Sequence, residues 1–98
     1  MNNSVQQMHQ IAGTGGFMQV NGSVLRTLNV ISGGRCSLSG LEYIFSGVNR
    51  CRLLNSLKYL DSGEYIKQTG NKENPDISLT GKGVLILRGF LDDDCIEV

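Results

Sequence analysis

Between positions 49 and 58 the chain carries Asn49, Arg50, Arg52, Asn55 and Lys58. These are amides and cations, groups that bind rather than transform. A guanidinium can make two parallel hydrogen bonds to a guanine edge or a phosphate, and an asparagine amide can do the same to an adenine edge. The mixture recurs more loosely in Lys67, Asn71 and Lys72, and the Ser39 hydroxyl can meet a phosphate oxygen. Each has a plainer reading as well. Arg50 and Arg52 suit a solvated helix face, Asn49 and Ser39 suit helix caps, and Lys67, Asn71 and Lys72 suit an ordinary polar hairpin.

Other chemistries lack their ligands or bases. His9 is the only histidine, and Cys36, Cys51 and Cys95 form no CxxC pair, so a zinc site has no ligand set. Cys51 has no histidine nearby in sequence to act as its base. It does sit between two arginines near an expected helix start, a setting that favours a redox-active thiolate; a plain semi-buried cysteine is the alternative. Gly81-Lys82 lacks the upstream glycine and the following Ser or Thr of a phosphate-binding loop. Gly13-Thr14-Gly15-Gly16 follows no strand and reads as a linker. No catalytic set, metal or cofactor is therefore expected.

The elements that must carry these residues can be traced along the chain. Residues 1–20 are polar and punctuated by glycine, and read as a flexible arm, with a short strand or helix in 17–20. Asn21 or Ser23 can cap a helix starting near Val24, whose apolar stripe runs through Val24, Leu28 and Ile31 and which ends at Gly33-Gly34. Arg35-Cys36-Ser37 reads as an extended link. Ser39-Gly40-Leu41-Glu42 has the capping-box pattern, opening a short helix with Leu41, Ile44 and Phe45 inward. Ser46-Gly47-Val48 makes a tight turn, and Asn49 caps a helix to about Asp61 with Leu53, Leu57 and Leu60 inward. Leu54 suits either core packing or contact with a protein. Ser62-Gly63 ends that helix. Residues 64–69 and 76–79 read as a hairpin around a polar turn. Thr80 can cap a last helix; three glycines weaken it, and a strand over 83–88 competes.

The order is helix, link, short helix, turn, helix, hairpin, final element. Within it, Leu57-Lys58-Tyr59-Leu60-Asp61-Ser62-Gly63-Glu64-Tyr65-Ile66 resembles the end of a recognition helix and the turn into a wing in many bacterial regulators. Ile77-Ser78-Leu79-Thr80-Gly81-Lys82-Gly83 resembles the "LT-x-KG" step out of the wing in MarR- and PadR-like regulators. The resemblance spans about 70 of the 98 residues. The sequence departs from that pattern in the glycines of its last helix, in Leu54, and in having no long dimerisation helix. The resemblance implies an α+β fold of the winged helix-turn-helix type: three helices, a small antiparallel β-hairpin and a final helix. It implies a domain over 21–91, between the arm at 1–20 and an acidic tail at 92–98. It also implies duplex DNA as partner, with residues 49–60 in the major groove and the wing, 64–79, on the backbone.

Nine basic residues balance nine acidic ones, which argues weakly against nucleic acid. The balance is uneven along the chain: Asp92, Asp93, Asp94 and Glu97 lie at the end, and without them nine basic residues face five acidic ones, a net +4 over 1–91. The tail reads as a solvated, frayed end, or else as a screen for the basic face. The odd cysteine count, the lack of a signal-peptide pattern at the start and the short longest apolar run, 84–87, favour a reducing cytoplasm and no membrane span. The expected function is that of a small bacterial or phage transcription regulator, dimeric if DNA is its ligand. A module of the same fold that binds a protein instead is the alternative.

Overall fold

The computed structural model describes residues 16–98. His9 and the arm up to residue 15, with most of its glycine cluster, lie outside the described residues. The first helix among the described residues, α1, is Phe17–Val30, seven residues longer at its start than the expected onset at Val24. Gln19 reaches back so that its Oε1 accepts the Gly16 N–H at 3.0 Å, and the apolar stripe continues one turn toward the N-terminus through Val20. Asn21 and Ser23 are therefore not caps. Asn21 is wholly buried, and its Oδ1 accepts a hydrogen bond from the Ser56 hydroxyl.

After a 3-10 turn, Ser32–Gly34, comes β1, Arg35–Ser37. The segment expected as a mere link pairs antiparallel with β3, Asp76–Leu79, in the register Arg35–Ser78, Cys36–Ile77 and Ser37–Asp76. On the other edge β3 pairs antiparallel with β2, Ile66–Thr69, from Ile66–Leu79 to Thr69–Asp76. The result is a three-stranded antiparallel sheet in the order β1-β3-β2.

Helix α2, Leu38–Ile44, is capped by Ser37, whose Oγ accepts the Gly40 N–H at 3.1 Å. Ser39 was the expected cap. Moving the start by two residues rotates the inward stripe to Leu38, Leu41 and Phe45, all buried, while Ile44 is 46% exposed. At 3.6 residues per turn Ile44 falls about 90° off that stripe. Helix α3, Arg50–Ser62, has Asn49 as its cap and buries Leu53, Ser56, Leu57 and Leu60. Leu54 is partly buried against the same core. The left-handed position after α3 falls on Glu64, φ 66°, rather than on Gly63. Residue 80 caps the last helix as expected: in α4, Gly81–Leu87, the Thr80 Oγ1 accepts the Gly83 N–H at 3.1 Å. No strand forms over 83–88.

The core draws Val24, Leu25 and Leu28 from α1, Leu41 from α2, Leu53, Leu57 and Leu60 from α3, Ile66 and Ile77 from the sheet and Ile86 from α4. Thus, among the described residues, an α+β arrangement of four helices and one antiparallel sheet encloses an aliphatic core. Cys36, Cys51 and Cys95 are unbridged. No helix among the described residues is long and apolar enough to cross a membrane.

The acidic tail is not frayed. The Glu97 N–H donates to the Met18 carbonyl at 3.0 Å, Asn21 Nδ2 donates to the Cys95 carbonyl at 2.8 Å, and Ile96 is buried. Gly22 permits this approach, since a Cβ there would stand 1.7 Å from the Glu97 carbonyl oxygen.

The stretches 57–66 and 77–83 meet at one junction. Thr80 Oγ1 donates to the Glu64 carbonyl at 2.7 Å and Lys82 Nζ to the Gly63 carbonyl at 2.9 Å. A Cβ on Gly83 would lie 2.4 Å from the Tyr65 carbonyl oxygen. Alanine at 83 would gain up to about 1 kcal/mol of helix propensity, but overpacking against backbone costs about 1–3 kcal/mol. Gly83→Ala should therefore lose about 1 kcal/mol or more of stability, seen as a lowered midpoint in denaturant unfolding. An unchanged or raised midpoint would mean the junction yields.

Candidate nucleic-acid interface

Helix α3 presents two kinds of surface. Leu53, Leu57 and Leu60 face the core. Opposite them Cys51, Asn55, Lys58 and Ser62, spaced i, i+4, i+7 and i+11, form an exposed ridge. Arg50 and Arg52 stand about 100° to either side of that ridge at 3.6 residues per turn. The residues grouped by sequence as one basic face are thus divided: Asn55 and Lys58 on the ridge, and an arginine on each flank. Arg52 is half-buried and Arg50 exposed.

Asn49 acts as a cap, its Oδ1 accepting the Cys51 N–H at 2.8 Å. Arg50 Nε donates to Glu42 Oε2 of α2 at 2.6 Å. The side chains are 67% and 31% exposed, and a pair in that setting contributes about 0–1 kcal/mol. Beneath the pair lies a hollow of about 240 Å³ lined by Glu42, Phe45, Ser46, Val48, Arg50 and Leu53. Glu42 was read from sequence as the closing residue of a capping box. The contact with Arg50, eight positions away, leaves no signature in local spacing.

Lys67, Asn71 and Lys72 are exposed along β2 and the loop at its end. Asn71 Oδ1 accepts the Glu73 N–H at 2.7 Å and so shapes the loop. Ser39 is exposed, its Oγ 3.2 Å from that of Ser37. Its N–H donates to Asn74 Oδ1 at 2.8 Å, and the Leu38 N–H donates to the Pro75 carbonyl at 2.8 Å. These two bonds bring the far end of the hairpin loop against the start of α2. Asn74 was not singled out from sequence, because its role depends on a partner 35 residues away. The segment from α2 to β3 that carries Arg50, Arg52, Lys58, Lys67 and Lys72 also carries Glu42, Asp61, Glu73 and Asp76.

The inner edge of α3 is fixed by the tail. Asp93 accepts from the Tyr59 hydroxyl on one oxygen and from the Tyr65 hydroxyl on the other, each at 2.7 Å. Phe17 packs edge-on against Tyr59, with ring centroids 5.3 Å apart, and Lys82 Nζ stands 4.8 Å from the centre of the Tyr65 ring. Burial pushes the Asp93 carboxyl up, but the two hydroxyls, the Cys95 N–H and the charge of Lys82 outweigh it, and the net shift is below the ordinary 3.8. The hydrogen bond to Asp93, reinforced by burial, raises Tyr65 from 10.0 to about 12. The same causes raise Tyr59 further. The acidic end of the chain is thus engaged, through Asp93, with the two tyrosine hydroxyls.

No family model, curated protein or solved structure matches the chain. Among the described residues no cluster of three or more His, Cys, Asp or Glu side chains could hold a metal ion.

The Asp93 bridge sets the direction of a pH effect. A carboxyl whose folded pKa lies below its unfolded value stabilises fully above that unfolded value and loses its contribution as pH falls through the folded one. Stability should thus decline below the ordinary 3.8. The tyrosines act in the opposite sense: their contribution is intact below 10.0 and fades as pH climbs toward about 12. Denaturant midpoints measured against pH should show both limbs. Asp93→Asn should lower the neutral midpoint and flatten the acid limb; an acid limb as steep as the parent's would assign it to other carboxyls.

Proposed function

We propose that the chain is a winged helix-turn-helix domain that binds duplex DNA, acting as a small transcription regulator of bacterial or phage type in a reducing cytoplasm. It serves as a binding domain rather than as an enzyme. The observation that carries this reading is the outward ridge of α3. Asn55 and Lys58 are exposed on a helix joined by a tight turn to α2 and followed directly by the β2–β3 hairpin. In this reading α3 enters the major groove, Asn55 and Lys58 face it, Arg50 and Arg52 flank it, and Lys67, Asn71 and Lys72 approach the phosphates beside it. Ser39 and Asn49 lie where α2 and α3 begin and add hydroxyl and amide contacts. A second copy of the chain would double a short site.

Binding of a protein instead of DNA is supported by a different observation. Tyr43 is 83% exposed and Ile44 46% exposed on α2, and the chain carries no net charge. Leu54, half-buried against the core, is a poorer candidate for that contact than these two.

Titration of a labelled mixed-sequence duplex, at about 50 and about 200 mM salt, separates the readings. Binding to DNA should weaken steeply between the two conditions. Lys58→Ala should weaken it further for all sequences and lower the slope of affinity against salt by about one phosphate. Lys67→Ala and Lys72→Ala should act in the same way. Absence of binding at the lower salt, or binding insensitive to salt, would reject DNA and leave the Tyr43–Ile44 surface as the place to look.

A further inference from the structure

The contact between Arg50 and Glu42 has a geometry that bears on what α3 would read. Only Nε of Arg50 is engaged: it donates to Glu42 Oε2. Among the described residues no hydrogen bond or ion pair of Arg50 involves Nη1 or Nη2. The side chain is 67% exposed, so this far edge faces solvent at the first residue of α3. A guanidinium is planar, with its donors in a rigid fork. Fixing it at Nε therefore limits its swing and presents the two terminal nitrogens as a ready pair of donors.

The charge of the pair narrows the ligand. With a carboxylate at 2.6 Å, Arg50 and Glu42 together carry no net charge. A phosphate brought to the Nη edge would also meet the field of Glu42, and Arg50 would release little of the counterion atmosphere that drives phosphate binding. A base edge is a neutral acceptor and suffers no such repulsion. Guanine N7 and O6 are two acceptors side by side in the major groove, matched to two parallel N–H donors. The geometry points to Arg50 as the specificity-determining residue that reads a guanine, held for that contact by Glu42 of α2 as its positioning residue. This rests on the DNA-binding reading proposed above and assigns one G·C base pair to the site.

The test is selection from a random duplex library at low salt by the parent chain, Arg50→Lys, Arg50→Ala and Glu42→Gln, followed by titration of the selected duplex at two salt concentrations. Both partners are at the surface, so matching thermal unfolding curves verify that the variants fold. The parent should enrich a guanine at one position and prefer it by about 5- to 150-fold over other bases. Arg50→Lys and Arg50→Ala should lose that preference; the salt slope should stay near the parent's in Arg50→Lys, which keeps the pair neutral, and fall in Arg50→Ala, which leaves Glu42 uncompensated. Glu42→Gln should move the two readouts in opposite directions: tighter binding to all duplexes with a slope steeper by about one phosphate, and a weaker guanine preference. The assignment alone is overturned if the parent binds duplex but Arg50→Lys selects the same sequences. It is likewise overturned if Arg50→Ala lowers the salt slope without changing base preference, which would mark a phosphate contact. If the parent binds duplex in the titration but enriches no base at any position, the assignment alone falls; absence of any duplex binding at low salt overturns both this assignment and the DNA reading.

Discussion

One buried amide holds the parts in register. Asn21 lies in the middle of α1 with no exposure to solvent. Its Oδ1 takes the Ser56 hydroxyl of α3, and its Nδ2 gives a hydrogen bond to the Cys95 carbonyl at the end of the chain. A polar side chain so placed is tolerable only if its groups are satisfied, since leaving one unpaired costs about 1–3 kcal/mol. The aliphatic residues around it would accept many small shifts of α1 along α3. The amide accepts few, because only one register offers it both partners. A core made almost wholly of Leu, Ile and Val thereby gains a fixed alignment, and the outward ridge of α3 takes its direction from it. Among the described residues no buried side-chain nitrogen or oxygen is left without a partner.

A second constraint acts where the hairpin joins the helices. Thr80 caps α4 with its oxygen and donates its own proton to Glu64, Lys82 closes on Gly63 and lies against the Tyr65 ring, and Gly83 makes room for the Tyr65 carbonyl. The visible work of these residues is to build a corner. A corner is geometry, whereas function resides in the site a fold carries.

What could be read from sequence follows the reach of the signal. Helix α3, its Asn49 cap, the hairpin strands and the Thr80 cap depend on apolar spacing and cap chemistry within a few residues, and all were legible. The misreadings share a cause in contacts distant along the chain. Residues 35–37 are too few to show alternation and become a strand only by pairing with residues 76–78. Asn21 looked like a cap because Asn favours caps; its burial depends on Ser56 and Cys95. Ser37 and Ser39 are equally good caps by type, and the bonds from residues 38 and 39 to Pro75 and Asn74 accompany the earlier start. At the candidate site the residue types were legible, but their division between a ridge and two flanks, and the engagement of Arg50 by Glu42, needed three dimensions.

The meeting of the tail with the first turn of α1 bears on how the molecule is made. The Glu97 N–H and the Met18 carbonyl are joined although nearly the whole domain lies between them in sequence. Helix α1 emerges from the ribosome long before its covering strap, and Gly22 and Asn21 wait uncovered until residues 95–97 are free of the exit tunnel. The contacts of α1 are thus complete only once residues 95–97 are in place.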